Sequence, residues 1–377
     1  MRSWANVFLT GKAWTGKTWT LQEFIKLVRR EGKHVIITAP TGIAAINAGW
    51  STLHSAFKMY GYYPEPKYPG RQKIDWGEVD TVVIDEISMV GPDYVDQMDF
   101  ILKHERRNKD PFGWVQMIFV GDPKQLPPVY SPSTEQDIED ISKLTKKYWT
   151  LTFDNAKSYQ WFEVAELSEV KRTKDDRLIS VLNSIREWDF KSIMKLKQGE
   201  GTPHSVHLYP FNNMVDSHNK KKLEAIKSPS KTYKGHTYGT FDLKNCLTPL
   251  YLELKIWAMV MVTKNLECWL VNGDMWTVVE MKDSHVKILS DRFGEEFDLY
   301  YSEWKTVEYD WVEENTLWGF RQIPLKLWFA LTIHKSQWLT LEDVCFHYVP
   351  WTSKELAYVW LSRATNYEGL NVKTHLR

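Results

Sequence analysis

Gly11-Lys12-Ala13-Trp14-Thr15-Gly16-Lys17-Thr18 decides how this chain is read. The run fits G-x-x-x-x-G-K-[ST], a loop whose backbone N–H groups, with the start of the next helix, cradle phosphates. In that pattern Lys17 reaches the β/γ-phosphates and the Thr18 hydroxyl ligands Mg2+. Its flanks agree. Val7-Phe8-Leu9-Thr10 predicts a strand before the loop, and the pattern from about Lys17 to Glu31 predicts a helix after it.

Further strands follow outward from this unit. His34 to Thr38 leads into Ala39-Pro40-Thr41-Gly42, Thr81 to Ile84 ends at Asp85-Glu86, and Gln116 to Val120 ends at Gly121-Asp122. Short apolar runs alternating with helical patterns predict a parallel α/β sheet. Each polar or Gly/Pro cluster falls just past the carboxyl end of a strand, where open α/β sheets place their ligands. Asp85 would hold Mg2+, directly or through water, and Glu86 would orient and deprotonate an attacking water. A bare Asp-Glu at a strand end is usually a solvated turn. The phosphate loop upstream reverses that reading, because such a fold needs a carboxylate on a neighbouring strand.

The chain has 377 residues, long for one domain and comfortable for two. Hydrophobic residues at 43% and charged residues at 25% support a sizeable core. Lys+Arg and Asp+Glu both total 48, which excludes a polybasic protein and restricts any nucleic-acid site to a local channel. Cys246, Cys268 and Cys345 have neither zinc spacing nor a disulfide framework, which points to a reducing compartment. No apolar run has membrane-spanning length and the start has no signal-peptide core, so a cytoplasmic protein is expected.

The Pro/Tyr/Gly-rich stretch from Tyr60 to Lys73 (about 60–75) predicts a surface excursion, and Ser131 to Lys147 a polar connection toward a second domain. Helical patterning resumes from Ser168 to Arg186. From about Leu250 to Leu317 short β-like runs, among them Ala258 to Val262 and Thr277 to Val279, alternate with turns and favour a small β-rich insertion. Lys220-Lys221-Lys222 suits a solvated helix face better than a DNA site.

Two stretches carry a resemblance. Ile84-Asp85-Glu86-Ile87-Ser88-Met89-Val90 and Val120-Gly121-Asp122-Pro123-Lys124-Gln125-Leu126-Pro127-Pro128-Val129 resemble motifs II and III of the Pif (petite integration frequency) DNA helicases, RecD-like members of superfamily one. Thr38 to Ala45 is similar to motif Ia, and Ser51 to Phe57 to the adjoining DNA-contact motif. Leu331 to Gln337 resembles motif V, and Tyr358 to Ala364 motif VI. The match runs in the family's order from residue 6 to about 372.

The resemblance implies two RecA-like P-loop NTPase domains that bind ATP and Mg2+ between them, with a small β-barrel insertion in the second. Residues 1–164 would form the first domain, 165–250 with 319–377 the second, and 251–318 the insertion. It also implies an ATP-dependent helicase moving on single-stranded DNA and DNA forks, 5′-to-3′, in repair, recombination, replication or telomere maintenance, as a monomer. Gln125 would sense the γ-phosphate. Arg363, from the second domain, would act as an arginine finger. Arg172 matches the motif IV arginine, although this chain continues with Thr173 where the family usually has Gln. Thr41, His54, Lys264, Asn265, Thr332, His334 and Ser336 match positions lining the single-strand channel, where hydroxyl, imidazole and N–H donors grip phosphates without reading sequence. The family also has an N-terminal glutamine-bearing segment that reads adenine. This chain starts almost at its first strand, so a truncated N-terminus is expected.

Tryptophan stands out. Nineteen tryptophans equal the nineteen glycines, whereas an average chain of this length has about 26 glycines. Trp14, Trp50, Trp114, Trp188, Trp257, Trp276 and Trp338 stand at turns and caps where the family carries glycine. The expectation is a gene from a lineage reading UGA as glycine, translated here with UGA as tryptophan. A genuine Trp14 would instead favour a single-stranded DNA-binding relic without hydrolysis. A P-loop ATPase acting on a protein partner is the remaining alternative.

Overall fold

The computed structural model describes residues 5–40, 51–171, 173–187, 193, 196–203, 205–239, 248–264, 266, 275–290, 294–310, 313–336, 339, 341–349 and 352–375, with backbone only at Ser51, Gly239, 305–310, 313–318 and His334. The chain divides into two compact units, Met1–Lys195 with Trp351–Glu368, and Leu196–Pro350 with Gly369–Arg377. The α-helices, in chain order, are α1 (Lys17–Arg30), α2 (Leu53–Phe57), α3 (Pro92–Glu105), α4 (Glu135–Lys147), α5 (Asp176–Arg186), α6 (Asn212–Ala225) and α7 (Lys354–Leu361).

The first unit is built on a parallel sheet of β1 (Asn6–Gly11), β2 (Val35–Ala39), β3 (Ser51–Thr52), β4 (Thr81–Ile84), β5 (Gln116–Val120) and β6 (Phe162–Leu167), in the order β3-β2-β4-β5-β1-β6. Strands β1, β4 and β5 are buried along their whole length, as continuous apolar runs in a parallel sheet require. One face packs α1 through Leu21, Phe24, Ile25 and Val28 against Val7, Leu9, Val83 and Val120. The other holds Phe8, Val82, Ile84 and Phe119 with Trp76 and the apolar side of α3.

The described elements depart from the sequence expectations in several places. Leu167 ends β6, and helix α5 begins only at Asp176, where the Asp175 carboxylate accepts from the N–H groups of Arg177 and Leu178. Ser131 to Lys147 is more than a polar connection. Thr134 and Asp137 form a reciprocal capping box that starts α4 at Glu135. The Tyr60 excursion is pinned down, because Tyr63 is buried and donates its N–H to Asp93, while the Lys67 N–H bonds Gln97. The first unit includes 165–195 and 351–368, and within it β6 is hydrogen-bonded to β1 along its full length.

In the second unit β7 (Val206–Tyr209) lies inside a second parallel sheet. The antiparallel strands that follow are β8 (Ser230–Lys234), β9 (His236–Gly239), β10 (Tyr251–Lys255), β11 (Met259–Val262), β12 (Met275–Met281), β13 (His285–Leu289), β14 (Glu296–Tyr300), β15 (Ser302–Asp310), β16 (Glu313–Gln322) and β17 (Leu325–Leu327). Then β18 (Ala330–Thr332), β19 (Val344–Tyr348) and β20 (Leu370–Thr374) complete the parallel sheet in the order β18-β7-β19-β20. The β-rich segment is an open five-stranded sheet, β14-β13-β12-β11-β17, with separate two- and three-stranded sheets. Among the described residues no closed barrel forms, because β14 and β17 are left as edges.

The tryptophans divide. Trp14, Trp114 and Trp257 adopt left-handed φ values of 67°, 69° and 73°, a conformation that disfavours any side chain but glycine. Trp276 does not belong with them. It sits within β12 opposite Val260, buried, with its ring edge-on to Phe297, in ordinary extended backbone. Trp50, Trp188 and Trp338 lie outside the described residues.

Candidate nucleotide site and nucleic-acid interface

The loop between β1 and α1 owes its shape to two glycines. A Cβ on Gly11 would meet the Leu167 carbonyl oxygen at 2.5 Å, and Gly16 holds a φ of 89° as it enters α1. The first turn of α1 leaves backbone N–H groups without helical partners, pointed where phosphates bind. Lys17 folds back so that its ammonium donates to the Gly11 and Lys12 carbonyls at 2.8 and 3.0 Å. Burial lowers its pKa, against the pull of Asp122, Glu86 and Asp85. Thr18 is exposed beside it, and Thr15 closes the loop by donating its hydroxyl to the Lys12 carbonyl.

Asp85 and Glu86 follow β4 at the carboxyl edge of the sheet. Asp85 Oδ1 accepts the Glu86 N–H at 2.9 Å, while Oδ2 is buried with no hydrogen-bond partner. Burial, and then the neighbouring Glu86, push Asp85 up to about 7, and burial raises Glu86 as well. Glu86 occupies a left-handed φ of 53°, the kind of backbone strain that collects at functional sites. An orphaned buried carboxylate oxygen beside a second raised carboxylate suits a hard, oxygen-seeking dication.

Asp122, after β5, is fully buried and ties the site together. It accepts from the Lys124 N–H and the Arg186 guanidinium through Oδ1 and from the Tyr358 hydroxyl through Oδ2. The same Tyr358 hydroxyl accepts the Ala13 N–H at 2.8 Å, so α7 is fastened directly to the phosphate loop. Gln125 is buried one turn on, its N–H bonded to the Asp122 carbonyl. Arg363 follows α7, buried, with its guanidinium on the Val359 carbonyl and the Ser362 hydroxyl. Its charge is felt at both Lys17 and Glu86. Trp14 joins the same segment, its indole N–H donating to the Ser362 carbonyl at 2.9 Å. Tyr358, Asp122 and Arg186 were given no role from sequence, although Asp122 and Tyr358 stand inside recognised motifs. Only the fold shows that one hydroxyl joins Ala13 to Asp122.

The nucleic-acid candidates are placed in each unit separately. His54, on α2, lines a cavity of about 360 Å³ with Tyr62, Tyr94, Tyr130, Met89 and Pro128. Its ring lies 5.3 Å from that of Tyr94, and burial lowers its pKa. In the second unit Thr332 lines a cavity of about 410 Å³ together with Lys220, Lys326, Lys335 and Tyr251. Burial, with the Lys335 charge added, lowers Lys326 to about 7. Lys220 therefore faces a cationic groove as well as solvent. Ser336 is buried and its hydroxyl donates to the Ile333 carbonyl, closing a turn. The Lys264 ammonium donates to the Glu303 carbonyl over the Trp304 ring. Thr41, Arg172 and Asn265, and the side chain of His334, lie outside the described residues.

Residues 2–195 match the family profile described as PIF1-like helicase. The chain belongs to that family. Over 97% of its length it is similar to the ATP-dependent DNA helicases PIF1 of Xenopus laevis (30% identical) and Danio rerio (31%). It spans 58% of the length of each of those relatives. Among solved structures, Bacteroides Pif1 bound to ssDNA is 31% identical with a TM-score of 0.73, the match covering 99% of this chain and 89% of that one. Pif1 helicase from Candida albicans is 29% identical with a TM-score of 0.79, covering 98% and 92%. A Bacteroides Pif1 structure in complex with ADP-AlF4 matches at 30% identity and a TM-score of 0.76, covering 99% and 89%. No helix among the described residues is long and apolar enough to cross a membrane.

Proposed function

We propose that this chain is an ATP-dependent DNA helicase that uses ATP hydrolysis to move along single-stranded DNA and open duplexes at forks. The observation that carries the proposal is the convergence of Lys17, Asp85, Glu86, Asp122 and Arg363 around a glycine-shaped phosphate loop at the carboxyl edge of one parallel sheet. Lys17 leaves the Gly11 and Lys12 carbonyls to bind the β/γ-phosphates. Glu86, whose raised pKa suits a base, takes the proton of the attacking water. Gln125 senses the γ-phosphate, and Arg363, with Arg172, neutralises charge developing on the transferred group. Thr18 and Asp85 are the residues that would hold Mg2+, and the unpartnered Asp85 oxygen supports that assignment. The ion would supply charge neutralisation between the phosphates.

On the nucleic acid, the aromatic cavity beside His54 suits an unstacked base and the lysine-lined groove beside Thr332 suits phosphates. Thr41, Lys264, Asn265, His334 and Ser336 complete the set by their motif positions. The motif resemblance supports 5′-to-3′ movement in repair, recombination or telomere maintenance by a monomer, with residues 1–164, 165–250 with 319–377, and 251–318 as the working domains. The three cysteines, whose spacing in the sequence suits neither zinc nor a disulfide framework, support a cytoplasmic setting. The test is strand separation with ATP and Mg2+ on duplexes carrying a 5′ or a 3′ single-stranded tail. Unwinding of the 5′-tailed duplex, lost in Glu86→Gln, is expected. Unwinding of neither duplex by a folded protein that still binds single strands would favour the non-hydrolysing alternative.

A further inference from the structure

The second unit carries a polar cluster where a parallel sheet under a helix is ordinarily apolar. His207 on β7 and His347 on β19 are both 3% exposed. They come from adjacent parallel strands, with Cys345 paired to His207, so all three share one sheet face. Above that face lies α6, locked in place by Asn219, whose side chain both donates to and accepts from the Ala330 backbone. His218, one residue earlier, is thereby held over the sheet with its ring centre 4.2 Å from that of His207.

The bonding around these rings is incomplete in an informative way. His207 Nδ1 and His347 Nε2 face each other at 2.8 Å, and the buried Nε2 of His218 has no partner. Donor atoms of all three histidines lie within 4.8 Å of one another. Tetrahedral zinc with nitrogen ligands at ~2.05 Å separates its donors by about 3.3 Å, so small side-chain movements suffice. The outer bonds already favour that use. His347 meets His375 through its other nitrogen, and His218 meets the Tyr209 hydroxyl through Nδ1, both at 2.8 Å. Metal-bound imidazoles characteristically hold their second nitrogen in such bonds. Burial keeps all three histidines neutral, the form that ligates, lowering them to about 3, 4 and 2 in sequence order.

We propose that His207, His218 and His347 form a zinc site, with the Cys345 sulfur, 3.9 Å from His347 Nε2, as the fourth ligand. Burial pushes the Cys345 thiol up to about 12 and it donates to the Gly199 carbonyl, so on binding the zinc must displace that bond, the proton leaving to solvent as the thiolate takes the fourth position. The ion would staple β7, β19 and α6, joining segments far apart in sequence.

The experiment uses the full chain, stripped with a chelator and titrated separately with Zn2+ and Co2+. One equivalent of Zn2+ is expected to raise the melting temperature, with further rise as free Zn2+ increases. Co2+ should give intense tetrahedral d–d absorption with a thiolate charge-transfer band, and the band should vanish in Cys345→Ser. His218→Ala should abolish both responses, its metal-free melting temperature and circular dichroism being measured alongside to show that it is folded. His236→Ala, an exposed control in the same unit, should keep them. Absence of a melting shift and of a tetrahedral cobalt spectrum in the parent chain would overturn the site. So would a response that survives His218→Ala. Either result would leave the cluster as a ladder of neutral imidazole hydrogen bonds.

Discussion

Asp85 shows how a single side chain can be destabilising alone and useful with a ligand. Its pKa in the folded chain, about 7, lies above the ordinary carboxylate value, so the native state holds this proton more tightly than the unfolded state. The resulting stabilisation is complete below about pH 4 and is lost as pH rises through 7. In the metal-free chain, Asp85→Asn should therefore raise the melting temperature by several degrees at pH 8 and change it little at pH 4. A thermal melt across that range checks it. The same substitution should remove Mg2+-dependent ATP turnover. Trp114 and Trp257 offer a second test at this scale, being 58% and 64% exposed at left-handed backbone. Relieving such a conformation returns ~1–2 kcal/mol per residue, of which glycine's freedom in the unfolded chain offsets about 0.5–1. Trp114→Gly and Trp257→Gly should each stabilise by up to about 1 kcal/mol in denaturant titration, although each deletes an indole. UGA codons at 14, 114 and 257 are expected in the gene. UGG there would contradict the misread-codon account.

Among the elements, those ending in chemistry were the most legible. Thr81–Ile84 and Gln116–Val120 form strands over the residues the apolar runs mark, since a doubly covered parallel strand must be apolar throughout. Helix α4 was missed because its capping box is followed by an almost wholly polar surface, with Leu144 its one buried residue. The Tyr358–Asp122–Arg186 link was illegible for a different reason. It joins positions 236 and 64 residues apart, and no local pattern encodes that closure. Lys326 was likewise unmarked, because its low pKa arises from burial beside Lys335 in the folded groove. As DNA phosphates require the protonated amine, single-strand affinity should be highest below pH 7 and fall several-fold toward pH 9. Lys326→Gln should flatten that profile and reduce the salt dependence of log Kd by about one contact. Fluorescence anisotropy with a labelled oligonucleotide would show it. An unchanged pH profile would remove Lys326 from the interface.

At the scale of the whole molecule, zero net charge and an isoelectric point near 7.2 leave no long-range field to hold DNA. Binding must come from local grooves and from coupling to the nucleotide. The proposed motor is expected to turn over little ATP until DNA is present. Its phosphate loop relies on the Lys17 ammonium, which in the free chain bonds its own loop's carbonyls. Trp14→Gly should raise turnover by freeing the loop from the Ser362 carbonyl. Lys17→Ala should lower it by roughly 100-fold or more, the usual cost of one transition-state charge partner. The most direct measurement is steady-state ATP hydrolysis with and without single-stranded DNA, on the parent chain and the Trp14→Gly variant side by side. The account predicts strong stimulation by DNA in the Trp14→Gly variant, and its loss when Lys17→Ala is added. Turnover that ignores DNA in both proteins, from material that binds nucleotide, would contradict it.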